Sequence, residues 1–269
     1  MNPVLSIFLR KELRDLRGNP QVLPGYLILP LMAVVIPTIM LAFMPFDPTA
    51  AAAVDPDIVA LFRLASRDPS LAVFPERERM FRLLVREFVS FFLLMPVILA
   101  SMSAGLAIAA EKQQRTLEPI LATPLSDRDL LLAKLLASLV PAVVVTWGAV
   151  LLSVIATAIV TDVRLGAAFW PTPAVLVTIL ILAPLAGAAA ALLGIRVSVK
   201  AADIQAAVQA SGLWVIPAGI LLIAVVGRPA ARSLPIAFGA VVLVGAIVWW
   251  LFRINLRKFE REEILTRWV

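Results

Sequence analysis

Six long stretches of the chain contain no aspartate, glutamate, lysine or arginine, and short polar segments separate them. These stretches are residues 18–46, 88–110, 135–161, 165–195, 204–227 and 233–252. Each supplies the roughly 20 residues that a helix needs to cross a hydrocarbon core of ~30 Å. The pattern predicts an all-α integral membrane protein, with one transmembrane domain over 1–269 and spanning helices at 22–44, 88–110, 130–160, 173–195, 210–226 and 234–252.

The polar segments at the two ends of the chain have amphipathic patterns of their own. Residues 1–20 combine apolar positions on one helical face with four basic residues, and the pattern is typical of a helix that lies in the membrane interface. Asn2 is suited to the N-cap of that helix and Gly18 to its C-terminal stop. Residues 253–269 form a charged tail that predicts another amphipathic helix leaving the last span.

The connection 45–87 is the longest polar segment, and we expect it to be a helical loop outside the cytoplasm. Asp55-Pro56 and Asp68-Pro69 each have the pattern of an N-cap followed by a first helical residue. Residues 76–87 predict a charged helix that continues into the second span, with Met80, Phe81 and Leu84 on one face.

A compact, proline-punctuated segment, 111–134, lies between the second and third spans. Pro119 is suited to opening a short helical turn, which Pro124 ends. Ser126 begins a Ser-x-x-Asp pattern, which is typical of a capping box at the start of the next helix. The pattern therefore predicts a short helix held between two spans, and the alternative is an ordinary solvated loop.

The composition agrees with a membrane protein and excludes several kinds of chemistry. Of the 269 residues, 61% are hydrophobic and 16% charged, whereas soluble domains are nearer half apolar and a quarter charged. The chain has no cysteine and no histidine, which removes thiol chemistry and the commonest metal ligand and general base. We therefore expect no catalytic, cofactor-binding or metal-binding residues, and no enzyme activity in this chain.

No energy source is visible in the sequence. It contains no GxxxxGK[ST] phosphate-binding loop, nor any Gly-Lys pair. The spans carry no ionisable residue near their centres, where proton-coupled carriers usually keep one. The sequence still allows a sodium-coupled carrier, in which backbone carbonyls would bind the ion.

The basic residues predict the orientation of the chain in the membrane. If the N-terminus is cytoplasmic, the segments 1–21, 111–134, 196–209 and 253–269 all lie inside and hold 15 of the 24 lysines and arginines. In a membrane protein, this distribution explains the net charge of +6 better than nucleic-acid binding does. We expect both termini, and the loop 111–129, on the cytoplasmic side.

The segment between the second and third spans contains Glu111, Arg115-Thr116-Leu117-Glu118, Ala122-Thr123-Pro124-Leu125-Ser126 and Lys134. This pattern resembles the cytoplasmic loop of bacterial and archaeal ABC exporter permeases. These permeases form the type-2 exporter superfamily, which includes sodium-efflux permeases and those for nitrous oxide reductase maturation. Arg115 stands where the family often has glycine.

The resemblance implies half of a type V exporter, in a prokaryotic cytoplasmic membrane. A separate ABC ATP-binding subunit, which binds ATP and magnesium, would dock on the cytoplasmic face and receive the short helix as a coupling helix. A second permease copy or a paralogue would complete the transporter, and an extracytoplasmic partner stays open. The implied coupling residues are Glu111, Arg115, Thr116, Leu117, Glu118, Pro119, Ile120, Leu121 and Thr123.

Two other functions share parts of this pattern. One is a secondary carrier or channel, driven by an ion gradient without ATP. The other is a membrane scaffold that transmits force from an ATPase to a partner outside the cytoplasm. The scattered polar side chains of the spans do not identify a substrate.

Overall fold

In the computed structural model every regular element of the described residues is helical. The described residues are 10, 11, 14, 18, 22–45, 56–113, 126–200, 206–207, 209–213, 219 and 234–258. The helices with defined bounds are α1 (Leu23–Phe43), α2 (Pro56–Arg67), α3 (Glu76–Phe91), α4 (Leu94–Gln113), α5 (Asp127–Leu165), α6 (Pro173–Val177, a π-helical turn Thr178–Leu182, and Ala183–Lys200) and α7 (Leu234–Lys258).

Five of these helices, α1, α4, α5, α6 and α7, are long and apolar enough to cross a membrane. The predicted all-α, multi-pass membrane architecture is therefore confirmed for the described residues. Most of the predicted fifth span, 210–226, lies outside the described residues, as does most of the tail 253–269.

Helix α4 lies at the centre of the bundle and packs most extensively against α6. Glycines on α6 allow this close approach. A β-carbon on Gly194 would lie 2.8 Å from the Ser101 carbonyl oxygen, and one on Gly187 would lie 3.0 Å from the Pro96 carbonyl oxygen. In a lipid bilayer the hydrophobic effect does not drive helices together, so close backbone packing of this kind is a principal source of helix association.

Helix α1 packs on α5 and is fixed to the bundle at both ends. Near its start, the Tyr26 hydroxyl lies 2.9 Å from the Ser103 Oγ of α4. At its end, the guanidinium of Arg164 from α5 donates to the carbonyls of Ala42 and Met44. A cation there also interacts favourably with the negative end of the α1 helix dipole.

Helices α6 and α7 run in the same direction. Leu182 and Ala183 of α6 pack against 240–244 of α7, whereas Leu192 of α6, further along its helix, belongs to the same cluster as Leu251 further along α7. Helix α6 thus ends at the same face of the bundle as α7. Both helices begin at the opposite face.

The connection between α1 and α4 differs from two predictions. Asp68 does not begin a helix: it follows α2, and its carboxylate accepts from the Ser70 amide at 2.9 Å, which closes a turn instead. Helix α3 buries Met80, Phe81 and Leu84 as predicted, but a turn at 92–93 separates it from α4. Pro96 explains this break, because it has no amide hydrogen to donate to the carbonyl of residue 92.

We expect Gly194→Ala to lower the stability of the bundle by about 1–3 kcal/mol, because its β-carbon would press on the α4 backbone. Gly245→Ala in α7 is the matched control, since no atom of the described residues outside the local helix lies within 4 Å of a β-carbon there. That exchange should be neutral or stabilise by up to ~1 kcal/mol. Thermal unfolding of the two purified variants in detergent measures the difference, and equal transitions would contradict the close α4–α6 contact.

Candidate functional site

Three charged residues from separate parts of the chain meet at the end of the bundle where α4 stops and α5 starts. Glu111, in the last turns of α4, accepts at Oε2 from Lys134 Nζ of α5 at 2.7 Å. Its Oε1 accepts from Lys11 Nζ at 3.2 Å. We call Lys11, Glu111 and Lys134 the charged triad.

The triad is buried to very different degrees. Lys134 is 1% exposed and Glu111 4% exposed, whereas the side chain of Lys11 remains 40% exposed. Removing an ammonium or a carboxylate from water costs several kcal/mol, and only a close, hydrogen-bonded partner offsets that cost. The Glu111–Lys134 pair therefore fixes the end of α4 against α5, and Lys11 attaches the N-terminal segment to the same carboxylate.

Local structure places both members of the buried pair. The Ser126 hydroxyl accepts from the Asp129 amide and so caps α5, as the Ser-x-x-Asp pattern predicts. Lys134 follows about two turns into α5. On α4, the amide of Ala109 donates to Ser198 Oγ of α6 at 2.9 Å, two residues before Glu111. Helices α5 and α6 thus both hold the end of α4.

Of the predicted coupling residues, Glu111 is the one that the structure describes. The others, Arg115, Thr116, Leu117, Glu118, Pro119, Ile120, Leu121 and Thr123, lie outside the described residues. The described chain stops at Gln113, at the end of α4, and resumes at Ser126, at the start of α5. The charged triad and the Ser126 cap therefore lie on either side of the segment 114–125, which contains these residues.

Sequence reasoning did not find the triad as a unit. Lys134 was recognised only as part of a family pattern, and Lys11 only as one basic residue of the N-terminal helix. One signal was present: Lys134 is a lone cation inside the apolar run from Leu130 to Leu139, where a buried partner is required. The partner's identity depends on how the helices pack, which the pattern does not contain.

In the described part of the chain, no group of three or more histidine, cysteine, aspartate or glutamate side chains lies together as a metal site would require. The triad does provide a direct connection: its ion pairs link the end of α4 to α5 and to the N-terminal segment.

The family described as "ABC-2 family transporter protein" matches residues 7–254, which is nearly the whole chain. No curated protein and no solved structure matches the chain significantly.

We expect Glu111→Gln to destabilise the bundle by about 3–5 kcal/mol, because a neutral amide would then face the buried ammonium of Lys134. Lys11→Gln, at the exposed end of the triad, should cost no more than ~1 kcal/mol. The double exchange Glu111→Leu with Lys134→Met should recover most of the loss, since it removes both buried charges. Denaturant unfolding of the purified variants measures these differences in stability. Equal losses for Glu111→Gln and Lys11→Gln would contradict the prediction that the buried pair contributes more than the exposed lysine.

Proposed function

Since the chain belongs to the ABC-2 transporter family, we propose that it is the membrane-spanning permease subunit of an ATP-driven exporter. A separate ABC ATP-binding subunit would hydrolyse ATP, and this chain would convert that hydrolysis into movement of its spans. The absence of a phosphate-binding loop from the sequence agrees with this division of roles. A second copy of the chain or a paralogue would complete the transporter.

The observation that carries the proposal is the buried Glu111–Lys134 pair at the base of the 114–125 loop. A coupling element has to pass force to the membrane helices without being deformed itself. Here the loop leaves α4 just after a carboxylate that two lysines hold, at 2.7 and 3.2 Å. Movement of the loop would therefore displace α4, α5 and the N-terminal segment together, as a rigid-body rearrangement requires.

The geometry also supports a sixth span in the part of the chain between α6 and α7. Because α6 ends at the triad face and α7 begins at the opposite face, one further crossing between residues 200 and 234 would connect them. The described residues of this segment agree with such a crossing. A β-carbon on Gly105 of α4 would lie 2.5 Å from Ser211 Oγ, and one on Gly219 would lie 2.5 Å from Leu94 at the other end of α4.

We assign different roles to Glu111 and to the rest of the coupling residues. Glu111 is only 4% exposed, so its carboxylate fits a positioning role better than contact with a partner protein. The residues from Arg115 to Thr123 are our candidates for the surface that contacts the ATP-binding subunit. In this proposal the triad face is cytoplasmic, and α2 and α3 lie outside the cytoplasm.

We expect Glu118→Arg to abolish the stimulation of ATPase activity by the permease, because the exchange reverses a charge on the proposed contact surface. The measurement is ATP hydrolysis by the cognate ATP-binding subunit, reconstituted with wild-type or variant permease in liposomes. Membrane insertion and yield should stay at the wild-type level. Glu76→Arg, at an exposed position in the first turn of α3, is the matched control and should leave the stimulation unchanged.

Normal docking and normal stimulation with Glu118→Arg would show that the coupling surface is elsewhere. A transport rate that follows an ion gradient and needs no ATP would overturn the whole proposal, because it would identify a secondary carrier.

A further inference from the structure

A cleft of about 280 Å³ opens at the end of the bundle opposite the charged triad. Its walls are the turn after α2, one face of α3, and the loop that connects α5 to α6. Most of the lining is apolar, and Phe74, Phe169 and Trp170 supply its aromatic surface. Two cations, Arg82 and Arg86, line the same space.

The α5–α6 side of the cleft is built by a defined turn. Gly166 ends α5 in the left-handed region, at φ 69°, and its amide donates to the Asp162 carbonyl at 2.8 Å. Five residues before it, the Thr161 hydroxyl accepts from the Phe169 amide at 3.2 Å, which directs the chain back over the helix end. Phe169 is consequently 3% exposed, and its ring forms one wall of the cleft.

Arg82 is held in a fixed orientation between two rings. Its Cζ lies 3.8 Å from the centroid of Phe74 and 4.0 Å from the centroid of Phe169. Nε and Nη2 both donate to Glu78 Oε2, at 3.0 and 2.9 Å. Among the described residues Nη1 makes no hydrogen bond, so one edge of an immobilised guanidinium can still receive an acidic group.

Arg86 is fixed by a second carboxylate. It donates through Nη2 to Asp68 Oδ2 at 2.6 Å and through Nη1 to Ser70 Oγ at 3.1 Å. Burial raises the pKa of Asp68, but hydrogen bonds from Ser70 and Arg86 outweigh that effect and hold the pKa below its usual value. The carboxylate stays ionised at neutral pH, and the ion pair would be lost only as the pH falls through that lowered pKa.

The lining of the cleft is asymmetric in charge. Both guanidiniums line the cleft, whereas none of their three carboxylate partners, Glu78, Asp68 and Glu87, does. The surface that a ligand would meet therefore combines positive charge with aromatic and aliphatic walls. A ligand that matches both the positive charge and the apolar walls needs an acidic group attached to an apolar body.

The length of α5 would place the cleft at the depth where such molecules are found. From Lys134 to the end of α5 the helix runs about 46 Å, whereas a hydrocarbon core is ~30 Å thick. With Lys134 near one boundary, the end of α5 reaches past the other boundary to the level of the lipid headgroups. At the mouth of the cleft Trp170 is 69% exposed, as is typical of tryptophans at a membrane interface.

We propose that this cleft binds an acidic amphiphile, with its phosphate or carboxylate group on Arg82 and Arg86 and its chain against Phe169 and Trp170. The site is separate from the coupling loop, so binding is measured on the permease without any ATP-binding subunit. A failure of this proposal is thereby distinguishable from a failure of the proposed exporter function.

The test is calorimetric titration of the full-length permease, in phosphatidylcholine nanodiscs, with octyl phosphate. Inorganic phosphate supplies the charge alone and octanol the chain alone, and both should bind at least tenfold more weakly. Arg82→Gln should weaken octyl phosphate binding at least tenfold. Arg63→Gln is the matched control, because Arg63 is exposed on α2 and does not line the cleft, and its binding should stay within twofold of wild type.

A second variant keeps the test decisive if Arg82→Gln folds poorly. Trp170→Glu changes an exposed side chain and places a carboxylate at the mouth of the cleft, so it should also weaken octyl phosphate binding at least tenfold. In nanodiscs that contain phosphatidylglycerol, competition would identify a membrane lipid as the source, and its absence would identify a free amphiphile.

Three outcomes would overturn the proposal. Octyl phosphate shows no saturable binding to the wild type, which would leave the cleft to a segment of a protein partner. It binds equally to the wild type and to well-folded Arg82→Gln and Trp170→Glu. Inorganic phosphate binds as tightly as octyl phosphate, which would make the cleft a simple anion site.

Discussion

An ammonium group in the interior of a membrane-spanning bundle has to meet a carboxylate, and this requirement organises the Glu111 end of the molecule. Lys134 is almost completely buried, and Glu111 lies 2.7 Å from it. A displacement of α4 along α5 by one helical turn, ~5.4 Å, would break that contact and leave both charges in an apolar environment. The pair therefore fixes the register of the two helices that border residues 114–125.

Close packing then fixes α6 to the same unit. Gly187 and Gly194 bring the backbone of α6 against that of α4, and Ser198 accepts a hydrogen bond from the amide of Ala109.

The other half of α6 is less regular. Its π-helical turn ends just before Pro184, where the Ala183 amide bonds to the Thr178 carbonyl and the Trp147 indole donates to the Ile179 carbonyl at 3.4 Å. Helix α6 is thus rigid where it meets the triad end and irregular towards the cleft.

Features that depend on a few neighbouring residues were predictable from the sequence. Uncharged runs indicated the described spans, and Ser126 indicated the start of α5. The prediction that Asp68-Pro69 begins a helix was wrong. An Asx turn uses the same residue pair, and the sequence does not distinguish such a turn from a helix start. The charged triad and the stacking of Arg82 between Phe74 and Phe169 were not predictable, since each joins residues that only tertiary packing brings together.

Helix α5 links the two ends of the molecule. Over its 39 residues it carries Lys134 at the charged triad, then Thr161 and Arg164 beside the cleft and the end of α1. A continuous helix transmits translation along its axis well, but Pro141 removes one backbone hydrogen bond within its first half. Bending at that point would change the angle between the two halves while both sets of end contacts persist. If force enters at Glu111, as we propose, it would reach the α5–α6 loop as rotation as well as translation, and the cleft wall formed by Phe169 would move with it.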